Sequence, residues 1–193
     1  MFDYPADATP IDEDEKEDLL IEHITTREEL NEWEQRNITD AYIWLDGTRR
    51  KDFLSEAFIR TLHEKMFGKV WAWAGKYRQS DKNIGVEWAQ IPIYFRKLLN
   101  DVEYWIEHDT YPPDEIAARF HHRLVQIHLF PNGNGRHARV MTDILLEKVL
   151  DRKPFTWGLG NLIGDSLVRT RYIEALRSAD NHDYQLLFEF VRS

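Results

Sequence analysis

The segment 128–139 brings together the residue types of a phosphate site and a candidate base. Gly133 and Gly135 can adopt backbone angles that other residues avoid, and a helical pattern follows them directly. A glycine-rich turn before a helix presents free N–H groups and the positive end of the helix dipole to one point, which favours phosphate. Arg136 and Arg139 are three positions apart and share a helix face, from which both can donate to an anion. Without an anion, two arginines in the first turn would oppose the helix dipole.

The histidine that precedes the turn, His128, is the candidate base. Its imidazole is largely neutral near pH 7 and can take a proton from a hydroxyl nucleophile. A single histidine beside apolar residues is more often a hydrogen-bonded structural residue, and a glycine-rich turn alone is a weak signal. Their combination with the two arginines predicts a reaction at a phosphate, with a base, an anion cradle and a charge stabiliser.

At these residues the chain resembles the Fic family. The family signature runs His, any residue, Phe, any residue, Asp or Glu, Gly, Asn, Gly or Lys, Arg, two residues, Arg. The positions that match are His128, Phe130, Gly133, Asn134, Gly135, Arg136 and Arg139. One position departs from the pattern, because Asn132 stands where the family has an acid.

The resemblance implies an enzyme that transfers AMP from ATP to a Ser, Thr or Tyr hydroxyl of an unidentified target protein, a reaction called AMPylation. It implies two catalytic residues: His128 would deprotonate the hydroxyl, and Arg136 would steady the pyrophosphate leaving group. The glycine turn would hold the α- and β-phosphates, and the arginines the β- and γ-phosphates. The nucleotide-binding residues implied in this way are Gly133, Asn134, Gly135, Arg136 and Arg139.

Asn132 is the implied metal-binding position, since the family's acid holds the Mg²⁺ or Mn²⁺ that bridges the phosphates. An amide oxygen can coordinate such an ion but lacks the charge that hard cations prefer. We therefore expect one of three consequences: weaker Mg²⁺ binding, a different coordination of the cation, or a changed reaction. Pro131 and Asn132, with an acidic N-terminal extension, are similar to the subgroup called mobile mystery protein B.

Two further features follow from the resemblance. Fic proteins place a β-hairpin flap ahead of the motif, on whose edge a target backbone adds as a strand. Residues 81–92 suit a short hairpin or an irregular flap here, with a plain loop as the alternative. The docking residues of the flap would be Ile84, Gly85 and Ile91. Many Fic proteins are also restrained by a glutamate that pairs with the second motif arginine, and Glu13 or Glu17 of the acidic arm could act in this way on Arg139. A solvated tail would carry the same acids by chance.

Composition limits the other classes of function. Hydrophobic residues make up 42% and aromatic residues 13% of the 193 residues, which suits one globular domain. No apolar run approaches a membrane helix, and the acidic start lacks a signal-peptide pattern, so we expect a cytoplasmic protein. The absence of cysteine excludes disulfides and thiolate catalysis, and a net charge of −9 opposes direct nucleic-acid binding.

Apolar spacing and capping residues predict a mainly α fold: a single Fic-type helical domain at 21–193, with an acidic arm at 1–20 and the small β-hairpin flap. Thr26 and Glu29 form a capping box for the first long helix. The helices are predicted at about 27–45, 55–67, 93–106, 114–127, 136–150, 166–177 and 183–191, where the helix ending at residue 127 delivers His128 to the turn.

Two alternative functions differ in class. His121 and His128 are seven apart on one helical face, with His122 and His137 near them, and such ligands could form a zinc site of a hydrolase. That reading leaves both glycines and both arginines unexplained. The second alternative is a nucleotide-binding regulatory module that keeps the anion cradle and has lost catalysis through Asn132.

Overall fold

Helices dominate the computed structural model, which describes residues 13–159, 162 and 166–193. A short helix at the start of this range is followed by seven longer ones in the described residues. They are α1 Glu13–Lys16, α2 Arg27–Gly47, α3 Glu56–Phe67, α4 Ile91–Glu107, α5 Pro113–Ile127, α6 Asn134–Ile144, α7 Leu167–Asp180 and α8 Gln185–Val191. The prediction of a mainly helical fold is confirmed.

Side-chain caps fix three of the helix starts that the sequence predicts. Thr26 accepts from the Glu29 N–H, and the Glu29 carboxylate accepts from the Thr26 N–H, so the predicted capping box begins α2. Ser55 caps α3 and Ser166 caps α7 in the same way. Each cap satisfies an N–H group that has no partner within its helix.

Several helix boundaries differ from the prediction, among them those of α5 and α6. Helix α5 begins at Pro113 instead of at residue 114, with Pro112 as N-cap, because proline fits the first helical position, where no N–H is needed. Helix α6 ends as an α-helix at Ile144 and continues into a π-helical turn at Leu145–Val149.

Helix α5 is the centre of the fold and carries the segment that holds the site. It packs against α4, α6 and α8, while α2 packs against α3. The apolar face of α5 lies in the core, where Ile116, Phe120, Leu124 and Ile127 are all buried. Phe130, directly after this helix, is fully buried and fixes the following turn to the core.

The predicted β-hairpin flap is wrong. Within the described residues, the only bridge of β type joins Leu19 to Trp71, and residues 79–87 form an irregular loop. The reason lies in Arg78, which is 1% exposed and whose guanidinium donates to the carbonyl groups of Ser80 and Val86. Those carbonyls converge on one cation instead of pairing with a neighbouring strand. We call residues 79–87 the covering loop.

The part of the arm that the structure describes lies against the segment before Arg78. The Leu20 N–H donates to the Val70 carbonyl at 2.9 Å, and the Ala72 N–H donates to the Asp18 carbonyl at 2.9 Å. Glu15 of α1 pairs with Lys82 of the covering loop at 2.6 Å. Residues 1–12 of the predicted acidic arm lie outside the described residues. None of the helices in the described part of the chain has the length and apolar character needed to span a membrane.

Candidate active site

The turn before α6 has the geometry expected of an anion cradle. Gly133, the N-cap, has φ 78° and ψ −1°, and a Cβ added there would stand 2.7 Å from the Phe67 ring. Only glycine adopts this backbone in this space without strain. No side chain caps α6, so its first N–H groups keep their hydrogen-bonding capacity at the positive end of the helix dipole. The start of α6 therefore attracts a negatively charged group.

Asn134, a predicted nucleotide-binding residue, uses its side chain to hold the turn together. Its Oδ1 accepts from the Phe130 N–H at 2.9 Å and its Nδ2 donates to the Phe130 carbonyl at 2.7 Å. The side chain is buried and clamps the turn, so its amide is engaged within the protein. Gly135 is uncrowded, with the Tyr172 hydroxyl at 4.0 Å from its added Cβ as the nearest atom.

His63 of α3 contacts the turn through Asn132 and Phe130. The sequence did not predict this role. His63 Nδ1 accepts from the Gly75 N–H at 3.0 Å, which places the ring proton on Nε2, and Nε2 then donates to the Asn132 carbonyl at 3.0 Å. The ring stacks on Phe130 at 3.7 Å between centroids. Burial lowers the pKa of His63 well below its usual value, with His137 adding to the shift, so the ring is neutral. Nothing in the local sequence of α3 signals this contact.

Arg136, the first motif arginine, is held by a buried carboxylate. Its Nη1 donates to Glu34 of α2 at 2.7 Å, and the Trp71 indole N–H donates to the other oxygen of Glu34 at 2.7 Å. The guanidinium also stacks on Phe67, 4.8 Å from the ring centroid. The side chains of Arg136 and Glu34 are 23% and 4% exposed, so the pair lies at the edge of the core.

Arg139, the second motif arginine, is half-buried and lies 5.8 Å from the ring centroid of Tyr172. Desolvation lowers its pKa, and interaction with Tyr172 opposes that shift. Among the residues that the structure describes, no carboxylate forms an ion pair with it. A partly desolvated cation without a counter-ion favours binding of an anion.

His128 occupies the junction between α5 and the turn in a left-handed conformation, with φ 57° and ψ 66°. Such a conformation is uncommon outside glycine and costs energy. The side chain is 4% exposed, and neither ring nitrogen makes a hydrogen bond of normal geometry within the described structure. Burial, together with the nearby cations Arg78 and Lys82, lowers the pKa of His128 to about 3. The imidazole is therefore neutral and has an open acceptor at pH 7.

Arg78 fixes the backbone of His128 and was missed by sequence reasoning. Its Nε donates to the His128 carbonyl at 2.7 Å, and the same guanidinium holds the covering loop. The sequence offered one signal for this role: Arg78 stands at the end of the aromatic-rich segment 70–78. Gly85 of that loop, at φ 107°, would place an added Cβ 2.8 Å from the His128 Cβ. Its missing side chain therefore lets the covering loop lie directly on His128.

The three predicted docking residues have different environments in the structure. Ile84 is 47% exposed on the covering loop, whereas Gly85 approaches His128. Ile91 is fully buried at the first position of α4 and cannot present an edge to a partner, because its backbone is helical. The prediction that Ile91 is a docking residue is wrong.

The residues around Asn132 fit a divalent cation poorly. Its Oδ1 already accepts from the Gly133 N–H at 2.6 Å, and its carbonyl accepts from His63. Over the described residues there is no group of three His, Cys, Asp or Glu side chains arranged for a metal ion. One neutral, engaged amide oxygen is a weak ligand for Mg²⁺.

Three of the four histidines of the zinc alternative are engaged in protein hydrogen bonds, His128 being the exception. His121 Nε2 lies 2.8 Å from the Tyr172 hydroxyl, and His122 Nε2 lies 2.8 Å from Asp180. His137 contacts the Ile59 carbonyl at 2.9 Å. They stabilise helix packing at separate places, and the zinc reading has no support from their geometry.

The carboxylate that contacts a motif arginine is not one of those predicted from the arm. Glu17 is exposed, the side chain of Glu13 lies outside the described residues, and the described ion pair joins Glu34 to Arg136 instead of an arm residue to Arg139. Local sequence could not show this, because Glu34 and Arg136 are 102 positions apart.

The fold and the site define a helical protein with an anion cradle, two arginines and a neutral histidine on one loop-and-helix unit. Residues 53–146 match the model of the Fic/DOC family, which identifies this part of the chain as a member of that family. The chain is 27% identical over 154 residues, 78% of this chain, to the protein adenylyltransferase Fic of Aedes aegypti, of which it covers 29%. Over 103 residues, 51% of this chain, it is 29% identical to the protein adenylyltransferase fic-1 of Caenorhabditis elegans, of which it covers 20%. The chain thus spans less than a third of either relative.

Solved structures confirm the fold. The N-terminal FIC domain of the Bep8 protein from Bartonella sp. 1-1C superposes with a TM-score of 0.70 at 17% identity, covering 89% of this chain and 88% of that one. The BepC protein of Bartonella tribocorum, solved with bound AMPPNP, superposes with a TM-score of 0.69 at 16% identity, covering 88% and 87%.

Proposed function

We propose that this protein transfers AMP from ATP to a Ser, Thr or Tyr hydroxyl of a target protein. One juxtaposition carries the proposal: the uncapped start of α6 and Arg139, which forms no ion pair with a described carboxylate, share one unit with His128. The ring nitrogens of His128 have no hydrogen-bond partner among the described residues. The names of the curated relatives, which are adenylyltransferases, support the same reaction. The structure of a relative with AMPPNP supports a nucleotide ligand for this fold.

The reaction follows from the groups at the site. The target oxygen forms a bond to the α-phosphorus, the bond between that phosphorus and the α,β-bridging oxygen breaks, and pyrophosphate leaves with the electron pair. His128 takes the hydroxyl proton. Its pKa of about 3 makes it a weak base in the free protein, but the negative charge of a bound triphosphate favours the imidazolium and raises that value. Arg136 and Arg139 neutralise the charge that develops on the leaving group.

ATP and the target protein are the partners in this proposal, and any Mg²⁺ or Mn²⁺ would have phosphate oxygens as its main ligands. Cytoplasmic localisation, the mobile mystery protein B subgroup and the division into arm and domain remain predictions. Target binding next to the covering loop, at Ile84, is part of the same proposal. It requires the loop to move, because Gly85 covers His128.

The test uses ATP labelled on the α- or the γ-phosphate, with Mg²⁺ or Mn²⁺ and a lysate of the protein's own source. We expect the α-label, and not the γ-label, to remain on protein, and His128→Ala to abolish this signal. Retention of the γ-label would indicate phosphate transfer. Absence of both labels on protein would contradict the proposal.

A second function, nucleotide binding without transfer, is favoured by one observation: the covering loop leaves His128 only 4% exposed. A regulatory module would keep this closed state when ATP binds. Binding of ATP by calorimetry without labelling of any protein would support the regulatory module over the transferase.

A further inference from the structure

The buried histidine His121 belongs to a chain of hydrogen bonds that runs from Thr142 to Tyr172. The Tyr172 end lies next to the anion cradle. The Nε2 of His121 lies 2.8 Å from the Tyr172 hydroxyl, and its Nδ1 lies 3.3 Å from Thr142 Oγ1. His121 is fully buried, and Tyr172 is 6% exposed. The Tyr172 hydroxyl is the nearest atom to the added Cβ of Gly135, at 4.0 Å, which places it next to the first turn of α6.

The number of hydrogens available in the chain determines which atom donates in each of these bonds. Thr142 Oγ1 lies 2.7 Å from the Ala138 carbonyl, one turn back in α6, and gives its only proton to that acceptor. The Thr142 oxygen can then only accept, so His121 must carry its proton on Nδ1. Burial lowers the pKa of His121 to about 3, which keeps the ring neutral with a single N–H.

The unprotonated Nε2 of His121 can only accept, and the donor is the Tyr172 hydroxyl. Burial raises the pKa of Tyr172, so the phenol is protonated and has one hydrogen to give. Once that hydrogen points to His121, the lone pairs of the Tyr172 oxygen remain for a donor on another side. Arg139, whose guanidinium carbon is 5.8 Å from the Tyr172 ring centroid, is the cation adjacent to this side chain.

We propose that Tyr172 is a positioning residue for Arg139: the chain from Ala138 through Thr142 and His121 makes its hydroxyl oxygen an obligatory acceptor for the guanidinium. The oxygen draws Arg139 toward the start of α6 without supplying a full negative charge. A carboxylate at this place would neutralise the arginine and compete with phosphate, whereas a phenol oxygen orients it and leaves its charge available. The inference rests on the proposed role of Arg139 as a ligand of the β- or γ-phosphate.

The chain offers a matched control at a second buried pair of tyrosine and histidine. The Tyr184 hydroxyl lies 3.3 Å from His122 Nδ1, and this tyrosine is 9% exposed. Its neighbouring cation is Arg119, at 4.3 Å from the ring centroid, and this arginine is not part of the motif. Tyr184→Phe therefore removes the same kind of bond without touching the cradle.

Calorimetry with ATP and AMP tests the inference. We expect Tyr172→Phe to weaken ATP binding about fivefold, the effect of losing one hydrogen bond to a charged group through an intermediary. AMP binding should not change, because AMP lacks the phosphates assigned to Arg139, and Tyr184→Phe should match the parent for both ligands. In an Arg139→Ala background, Tyr172→Phe should have no further effect on ATP binding. Unchanged ATP binding, an equal loss for AMP, or an equal loss in both backgrounds would overturn the inference.

A second measurement needs no nucleotide and separates this inference from the proposed function. Long-range ¹H–¹⁵N spectra of the full chain should show His121 protonated on Nδ1, and the guanidinium protons of Arg139 should exchange faster in Tyr172→Phe than in the parent. A parent that does not bind ATP would contradict the proposed function, and these spectra would then decide the inference. Protonation of His121 on Nε2, or equal exchange in both proteins, would overturn it.

Discussion

Replacement of Glu34 by glutamine should strengthen ATP binding while it weakens the fold. Glu34 contacts Arg136 at 2.7 Å, so a phosphate on the same guanidinium meets both a competitor for donors and a fixed negative charge. Glutamine has nearly the same volume and can still accept from the Trp71 indole. The guanidinium keeps its stacking on Phe67, at 4.8 Å, and so stays near its present position.

The magnitude follows from Coulomb's law. Two charges on opposite sides of a guanidinium are roughly 7 Å apart, and at an effective dielectric constant of about 20 they repel by ~2 kcal/mol. Solvent at the partly exposed Arg136 reduces this, so we expect ATP to bind roughly tenfold more tightly to Glu34→Gln. Loss of the charge-assisted bond should lower the free energy of unfolding by about 1–2 kcal/mol.

Calorimetry with ATP and urea unfolding measure the two effects. Glu32→Gln on the same helix is the control, because Glu32 is 71% exposed and its only described ion pair is a 3.8 Å contact with Arg36. It removes the same charge and should leave ATP affinity and stability close to those of the parent. ATP affinity that is unchanged or weaker in Glu34→Gln would refute competition for Arg136. Glu34 would then be a positioning residue whose charge aligns the arginine.

Further predictions concern the base, the metal position, the covering loop and pH. His128→Ala should lower transfer by ~10²–10⁴ while calorimetry shows ATP binding largely retained; unchanged turnover would exclude its role as base. Asn132→Asp should strengthen the Mg²⁺ dependence of ATP binding, and an unaltered metal titration would show that this side chain does not face the ion. Arg78→Lys should speed proteolysis within residues 79–87, because lysine cannot donate to several carbonyls as a planar fork; cleavage at the parent's rate would contradict the clamp. The free energy of unfolding should fall as pH decreases from about 6.5 to 4 in urea titrations. Burial lowers the pKa of His121 and His128 to about 3 and of His137 to about 4, so the unfolded chain binds more protons there than the native one. A flat profile would show that these rings are not buried in the neutral form.

Local sequence was sufficient for the helices and for the centre of the site. The caps at Thr26 and Ser55 act within four residues, and the apolar spacing of α5 reports which face is buried, so both can be read along the chain. The glycine turn and the two arginines of α6 are equally local. Their spacing predicted an anion cradle, and the left-handed Gly133 and the uncapped helix start have the geometry it requires.

Tertiary packing decided the roles of the side chains around that centre. Arg78 reaches the His128 carbonyl across 50 positions, Glu34 reaches Arg136 across 102, and Tyr172 reaches His121 across 51. Periodicity predicts which side of a helix is buried but not which neighbour it meets there. For the same reason the sequence suggested a hairpin at residues 81–92 where a buried arginine instead gathers the carbonyls of a loop. A polar group that leaves water must find a partner wherever the packing of the helices provides one, and only the folded chain shows where that is.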